Sequence, residues 1–180
     1  MDNESGALDL QCRKRIYEYI VNNPGVHFRE LQRSLGMPVG SLEYHLRYME
    51  KRELVSARND TGYSRFYSKN KFNPEVKSII AFMRQPIPRG ILLFLLRESK
   101  SSHGSILVNF RISAATLSYH LKRMCNTGVL RVEKAGRESF FEICQPDKVE
   151  EIVIVYRRSF FNGIVEDFSL SWLMEKSKDR

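Results

Sequence analysis

Apolar residues return at helical spacing three times before residue 50, and a matching succession begins again near residue 89. Ile16, Ile20 and Val21 mark a first helix, which Asp9 is placed to cap and which Asn22, Asn23, Pro24 and Gly25 stop. After a short extended segment at 26–28, Leu31 and Leu35 define a second helix over 29–35, with Gly36 at its end. Leu42, Leu46 and Met49 recur at i, i+4 and i+7, predicting a third helix capped by Ser41 and facing the core along that stripe. Residues 54–58 and 64–68 read as two strands joined by the turn residues Asn59, Asp60, Thr61 and Gly62. Three helices, the last two separated by the tight turn at 37–40, then a hairpin, outline a winged helix-turn-helix.

The plan is duplicated. SLEYHLRYM at 41–49 returns as TLSYHLKRM at 116–124, an offset of 75 positions (116 − 41). In the same register Ile16, Tyr17, Tyr19, Ile20 and Val21 fall on Ile91, Leu92, Phe94, Leu95 and Leu96, and Leu54-Val55 on Val129-Leu130. Phe66-Tyr67 falls on Phe140-Phe141 only after a gap of one residue, which predicts a second hairpin one residue shorter than the first. The second set of elements is expected at 89–97, 105–110 and 113–125, followed by strands at 129–132 and 139–143 with residues 134–137 at the tip. Glu53 stands where the second copy has Gly128, so the two third helices are expected to end differently.

Between the copies, Asn73 followed by Pro74 and the stripe Val76, Ile79, Ile80 and Met83 predict a helical connector ending at Pro86-Ile87-Pro88. Beyond Pro146 an amphipathic pattern runs through Val149, Val153, Tyr156, Phe160, Ile164, Phe168 and Trp172, a stripe that must bury against something. The expected fold is mainly α with small β-hairpin wings (α+β). A first winged-helix domain at 1–72 and a helical linker at 73–86 precede a second domain at 87–147 and a C-terminal amphipathic helix at 148–180.

A chain of 180 residues, 42% hydrophobic and 28% charged, is ordinary globular composition with room for two small domains. Its longest apolar run, 91–96, is far too short to cross a bilayer, and its start is acidic and polar, unlike a signal peptide; a cytoplasmic, nucleoid-associated protein is the expectation. Cys12, Cys125 and Cys144 match neither a disulfide framework nor a zinc pair. The net charge of +8 divides evenly: through Arg84 there are 14 basic and 10 acidic residues, and after it 15 and 11, so each half carries +4. An even excess suits two modules that meet the same kind of partner, although positive charge alone is weak evidence.

Opposite the expected core stripe, Ser41, Tyr44, His45 and Tyr48 share a helical face, and Thr116, Tyr119, His120 and Arg123 are their equivalents. Such side chains reach phosphates and groove edges, and Arg47 and Lys122 flank them for backbone contact. On the wings, Arg58, Arg65, Arg131, Lys134 and Arg137 are candidates for the adjacent minor groove or its phosphates. Two readings stand beside these: the histidines as partners of the core, and the tyrosines as packing against the wing.

SLEYHL followed by Met49 and Leu54-Val55, and TLSYHL followed by Met124, Gly128, Val129 and Leu130, resemble the recognition-helix signature of ArsR-like winged-helix regulators over residues 10–68 and 89–143. The tandem arrangement resembles two-winged-helix transcription regulators common in archaea. The resemblance implies that the Ser or Thr, Tyr and His positions contact DNA. The Cys-x-Cys of metal-responsive members is absent, so neither metal nor cofactor is expected. The function expected is sequence-specific double-stranded DNA-binding transcription regulation through two recognition helices in the major groove. The alternative is a winged-helix protein-interaction module of the transcription or chromosome machinery. No phosphate-binding glycine loop, spaced metal ligands or nucleophile–histidine set points to an enzyme. The tail stripe, Val149 to Trp172, has three fates: homodimer contact, packing on its own modules, or another protein.

Overall fold

The computed structural model describes residues 2–60 and 62–161, with side chains from residue 9 onward. In chain order the first half carries α1 (Asp2–Asn22), β1 (Val26–His27), α2 (Phe28–Leu35), α3 (Val39–Lys51), β2 (Val55–Asp60) and β3 (Tyr63–Ser68). After α4 (Pro74–Met83) the same order returns as α5 (Pro86–Glu98), β4 (Lys100–Ser102), α6 (His103–Asn109), α7 (Ala114–Asn126), β5 (Leu130–Ala135) and β6 (Glu138–Ile143), and α8 (Pro146–Phe160) follows. Each half builds a three-stranded antiparallel sheet, ordered β1-β3-β2 and β4-β6-β5, in which the hairpin is the wing.

The 75-residue offset runs through both hairpins without a gap. Val55 pairs with Ser68 and Asp60 with Tyr63; Leu130 pairs with Ile143 and Ala135 with Glu138. The expected shorter second hairpin is therefore wrong. Both wings have six-residue strands, and Phe66 corresponds to Phe141, each buried and each paired with the short strand that precedes the helix-turn-helix. Matching adjacent aromatic pairs misled the alignment, because only one aromatic of each pair faces the core of its own sheet.

Several expected ends move for local reasons. Asp9 does not cap α1; it lies within the helix and holds Arg13 at 3.0 Å, one turn on. Ser41 does not cap α3, which starts at Val39 behind Pro38, whereas Ser113, at the place of Pro38 in the second copy, does cap α7 by accepting from the Thr116 amide. The connector helix ends at Met83, ahead of Pro86 as expected, and Pro86 and Pro88 lie in the first turn of α5, where a fixed φ and a missing amide proton cost nothing. Asn73 caps α4 as expected. Glu53 adopts the left-handed conformation (φ 56°) that Gly128 adopts in the second copy (φ 73°), so α3 and α7 end alike.

Two cores result. The smaller closes the first half around Ile16, Ile20, Leu31, Leu42, Leu46 and Met49. The larger holds the second half and takes in α4, α8 and Tyr67 from β3. Gly25 permits this join: its φ is +73°, and a Cβ there would meet Ile80 Cγ2 at 2.9 Å. Burial also raises the Tyr67 phenol to about 12, and its hydroxyl donates to the Lys77 carbonyl at 3.3 Å. In α8, Val149, Val153 and Phe160 are buried in this same core, so the dimer contact expected through them is occupied by the chain itself. Tyr156 packs at its edge, and Ile164, Phe168 and Trp172 lie outside the described residues.

Candidate nucleic-acid interface

The turn after α2 depends on Gly36, left-handed at φ 64°, and delivers the chain to α3 through Met37 and Pro38. The buried side of α3 is Leu42, His45, Leu46 and Met49; its exposed side is Gly40, Glu43, Tyr44, Arg47 and Lys51. The expected reading face is thus rotated by about one residue, near 100°. His45 is 3% exposed, its Nδ1 has no hydrogen-bond partner among the described residues, and its Nε2 is 4.0 Å from Asp9 Oδ1. Burial, the largest influence, lowers its pKa against the opposing carboxylate of Asp9. Buried among the core residues, His45 is withdrawn from the outer face of α3; it packs edge-on behind Tyr44, with ring centroids 5.2 Å apart, and so orients that ring. Tyr44 itself is 56% exposed. Tyr48 is half-buried beneath the Arg13 guanidinium, 4.1 Å from its ring centroid, and Ser41 is half-buried in the first turn.

On α7 the corresponding outer side is Ala115, Ser118, Tyr119, Lys122 and Asn126, with Thr116 half-buried and hydrogen-bonded to Ser113. Tyr119 is 54% exposed and is backed by His120 at the same 5.2 Å centroid distance. His120 is half-buried, and burial, then Arg123, lowers its pKa. Arg123 does not point to solvent. It donates to Gln85 at 3.3 Å, reaches Asp60 of the first wing at 3.5 Å and lies over the rings of Phe82 and Tyr119.

The wings differ more than their helices. Arg65, expected on the DNA side, is 3% exposed and donates to Asp60 at 3.0 Å and to the Gly25 carbonyl at 2.9 Å. β1 pairs with β3 here, His27 opposite Arg65 and Val26 opposite Phe66, and Arg65 becomes an interior cation that needs its carboxylate. Arg58 donates to the Pro74 carbonyl at 3.0 Å. In the second wing Arg131 is exposed but held by Glu142 at 2.6 Å, while Lys134 and Arg137 are exposed and without an ion pair among the described residues. Between α6, α7 and this wing runs a groove of about 940 Å³ lined by Lys122, Lys134, Arg137 and His103; His103 Nε2 is 3.0 Å from Ser118 Oγ.

Sequence reasoning missed Lys51, Ser118 and Asn126. The signal was present: Leu42, His45 and Met49 stand at i, i+3 and i+7, which assigns His45 to the core stripe and places 40, 44, 47 and 51 opposite. No three His, Cys, Asp or Glu side chains among the described residues converge as metal ligands, and no single helix there is long and apolar enough to cross a membrane.

Residues 10–79 match the family model HTH_HVO_0163_N, an N-terminal HTH domain, so the match spans the first helix-turn-helix, its wing and part of α4. An uncharacterized HTH-type transcriptional regulator of the archaeon Methanocaldococcus jannaschii is 27% identical over 143 residues, 79% of this chain. The chain spans 36% of the length of that curated relative. Among solved structures, an ArsR family transcriptional regulator is 17% identical with a TM-score of 0.38, covering 49% of this chain and 91% of its own. A chain of the endosomal complex ESCRT-II (VPS22/VPS25/VPS36) is 17% identical with a TM-score of 0.35, covering 81% of this chain and 65% of its own.

Proposed function

We propose that this chain is a sequence-specific double-stranded DNA-binding transcription regulator, acting in the cytoplasm on the nucleoid, and a binding protein rather than a catalyst. Residues 1–72 and 87–147 act as its two DNA-reading domains, joined through 73–86. The observation that carries the reading is the outer side of α3. Tyr44, Arg47 and Lys51 project one turn apart from a helix whose opposite side is core, the arrangement by which a helix enters a major groove. The HTH match over residues 10–79 and the HTH-type regulator among its relatives support it.

The two domains read unequally. In the first, α3 alone faces the duplex, because Arg58 and Arg65 are engaged within the protein. In the second, Tyr119 and Lys122 of α7 enter the groove while Lys134 and Arg137 of the wing hold phosphates beside it. One chain thereby presents two readers without a second copy. An in vitro binding-site selection on the purified protein tests this: a shared motif with two separated blocks is expected, and enrichment of no motif overturns sequence-specific reading. Tyr44→Ala is expected to relax the first block and Tyr119→Ala the second.

A further inference from the structure

We propose that the cleft between the first half and the α4–α5–α8 layer binds a small anionic ligand, with a carboxylate or phosphate group on a flat apolar body. The cleft has a volume of about 740 Å³, within the size range of small-molecule sites, and both halves of the chain contribute to its walls. Its charge is unbalanced. Arg33, Arg84 and Arg89 line it against one carboxylate, Glu30.

The three guanidinium groups have different standing. Arg84 is buried and engaged through all three of its nitrogens: it donates to Glu30 at 3.0 Å, to the Pro24 carbonyl at 3.0 Å and to Ser159 Oγ at 2.5 Å, and so ties α2 to α8. Arg89 has only the carbonyls of Met83 and Phe160, both through Nη1, at 3.3 and 2.6 Å, and no carboxylate among the described residues. Arg33 is exposed at the rim and makes no ion pair among the described residues. With Glu30 committed to Arg84, two cations face the same space without a carboxylate among the described residues, an arrangement that an anion stabilises. His27 lines the cleft too, and its Nδ1 is buried with no hydrogen-bond partner among the described residues. The remaining wall is aromatic: Tyr19, Phe160 and Phe161, the last lying 5.1 Å from the Arg89 guanidinium. Cations on one side and rings on the other select a flat organic anion over a bare inorganic one.

This site does not rest on the DNA reading, and its test contains no DNA. Phthalate, phenyl phosphate and inorganic phosphate are titrated into the full chain by calorimetry at constant ionic strength. At least one aromatic anion is expected to bind with a dissociation constant below about 1 mM and more tightly than inorganic phosphate. Arg33→Gln and Arg89→Gln are expected to weaken it by about tenfold or more, the loss for one charge-assisted hydrogen bond. Lys14→Gln removes an equal charge from the exposed side of α1 and is expected to leave binding unchanged. Because Arg33 is exposed and has no ion pair among the described residues, its variant keeps the test open should Arg89→Gln fail to fold. No binding by any of the three anions overturns the proposal, as does unchanged affinity in Arg33→Gln or equal losses in Arg33→Gln and Lys14→Gln.

Discussion

The two wings share strand length and register, yet one is anchored inside the molecule and the other is left to solvent. In the first, Asp60 sits between Arg65 on its own hairpin and Arg123 on α7. Shifted by 75 positions, those three places hold Ala135, Phe140 and Tyr48, none of them charged. The network therefore exists once, and it joins the halves. The free second wing keeps Lys134 and Arg137 available. A duplicated motif thus fixes the scaffold twice, while a few divergent charges decide which copy of an element acts as an internal strut and which can meet a partner.

The largest way to break this contrast is Arg65→Ala. It leaves Asp60 facing a buried site without its close cation, and the expected loss of stability is about 3–5 kcal/mol. Denaturant unfolding measures it. A loss below about 1 kcal/mol would place the first wing on the same footing as the second.

On the reading faces, Arg47→Ala is expected to weaken binding to a selected duplex by about 1–3 kcal/mol, the scale of one base-edge contact. His45→Gln is expected to act only through Tyr44 packing and stability, so its effect on binding should be smaller. Competition binding with matched duplexes separates the two.

Acid sharpens the comparison of the Tyr-His pairs. Burial lowers the pKa of His27, His45 and His120 beneath the usual 6.5. As pH falls through 6.5 the unfolded chain takes up protons before the folded one does. The stabilising contribution is thus complete above that value and is lost as pH falls toward the folded-state pKa values. Unfolding followed from pH 8 to pH 5 should show declining stability, and His45→Gln and His120→Gln should each flatten the decline.

Glu53 gives the smallest effect and the only stabilising one. It holds a left-handed conformation that Gly128 adopts without a Cβ, and its ion pair with Lys69 at 3.2 Å is exposed. Glu53→Gly is expected to stabilise the chain by up to about 1 kcal/mol, read as a rise in Tm.

Much of this was legible in the sequence. Helical spacing located the helices of both halves, and the repeated SLEYHL and TLSYHL placed the two exposed tyrosines on matching faces. What stayed hidden depends on contacts distant in sequence. Arg65 reads as a surface cation until β1 and Gly25 cover it, and Arg123 reads as a DNA contact until Asp60 arrives from the other half. The tail stripe shows that Val149, Val153 and Phe160 are buried but not against what, since only the packed α4 and α5 supply the partner. His45 is a different failure, because its place on the core stripe was readable from spacing alone.

The most direct test of the unequal wings is the salt dependence of DNA binding. The slope of log affinity against log salt concentration is compared for the unaltered chain, Arg58→Ala, and Lys134→Ala with Arg137→Ala. The second wing's double variant is expected to lower the magnitude of the slope by about 1–2, one step for each lost phosphate contact, and Arg58→Ala to leave it unchanged. A shallower slope in Arg58→Ala, with none in the double variant, would contradict the assignment of the first wing as the strut and the second as the one that meets DNA.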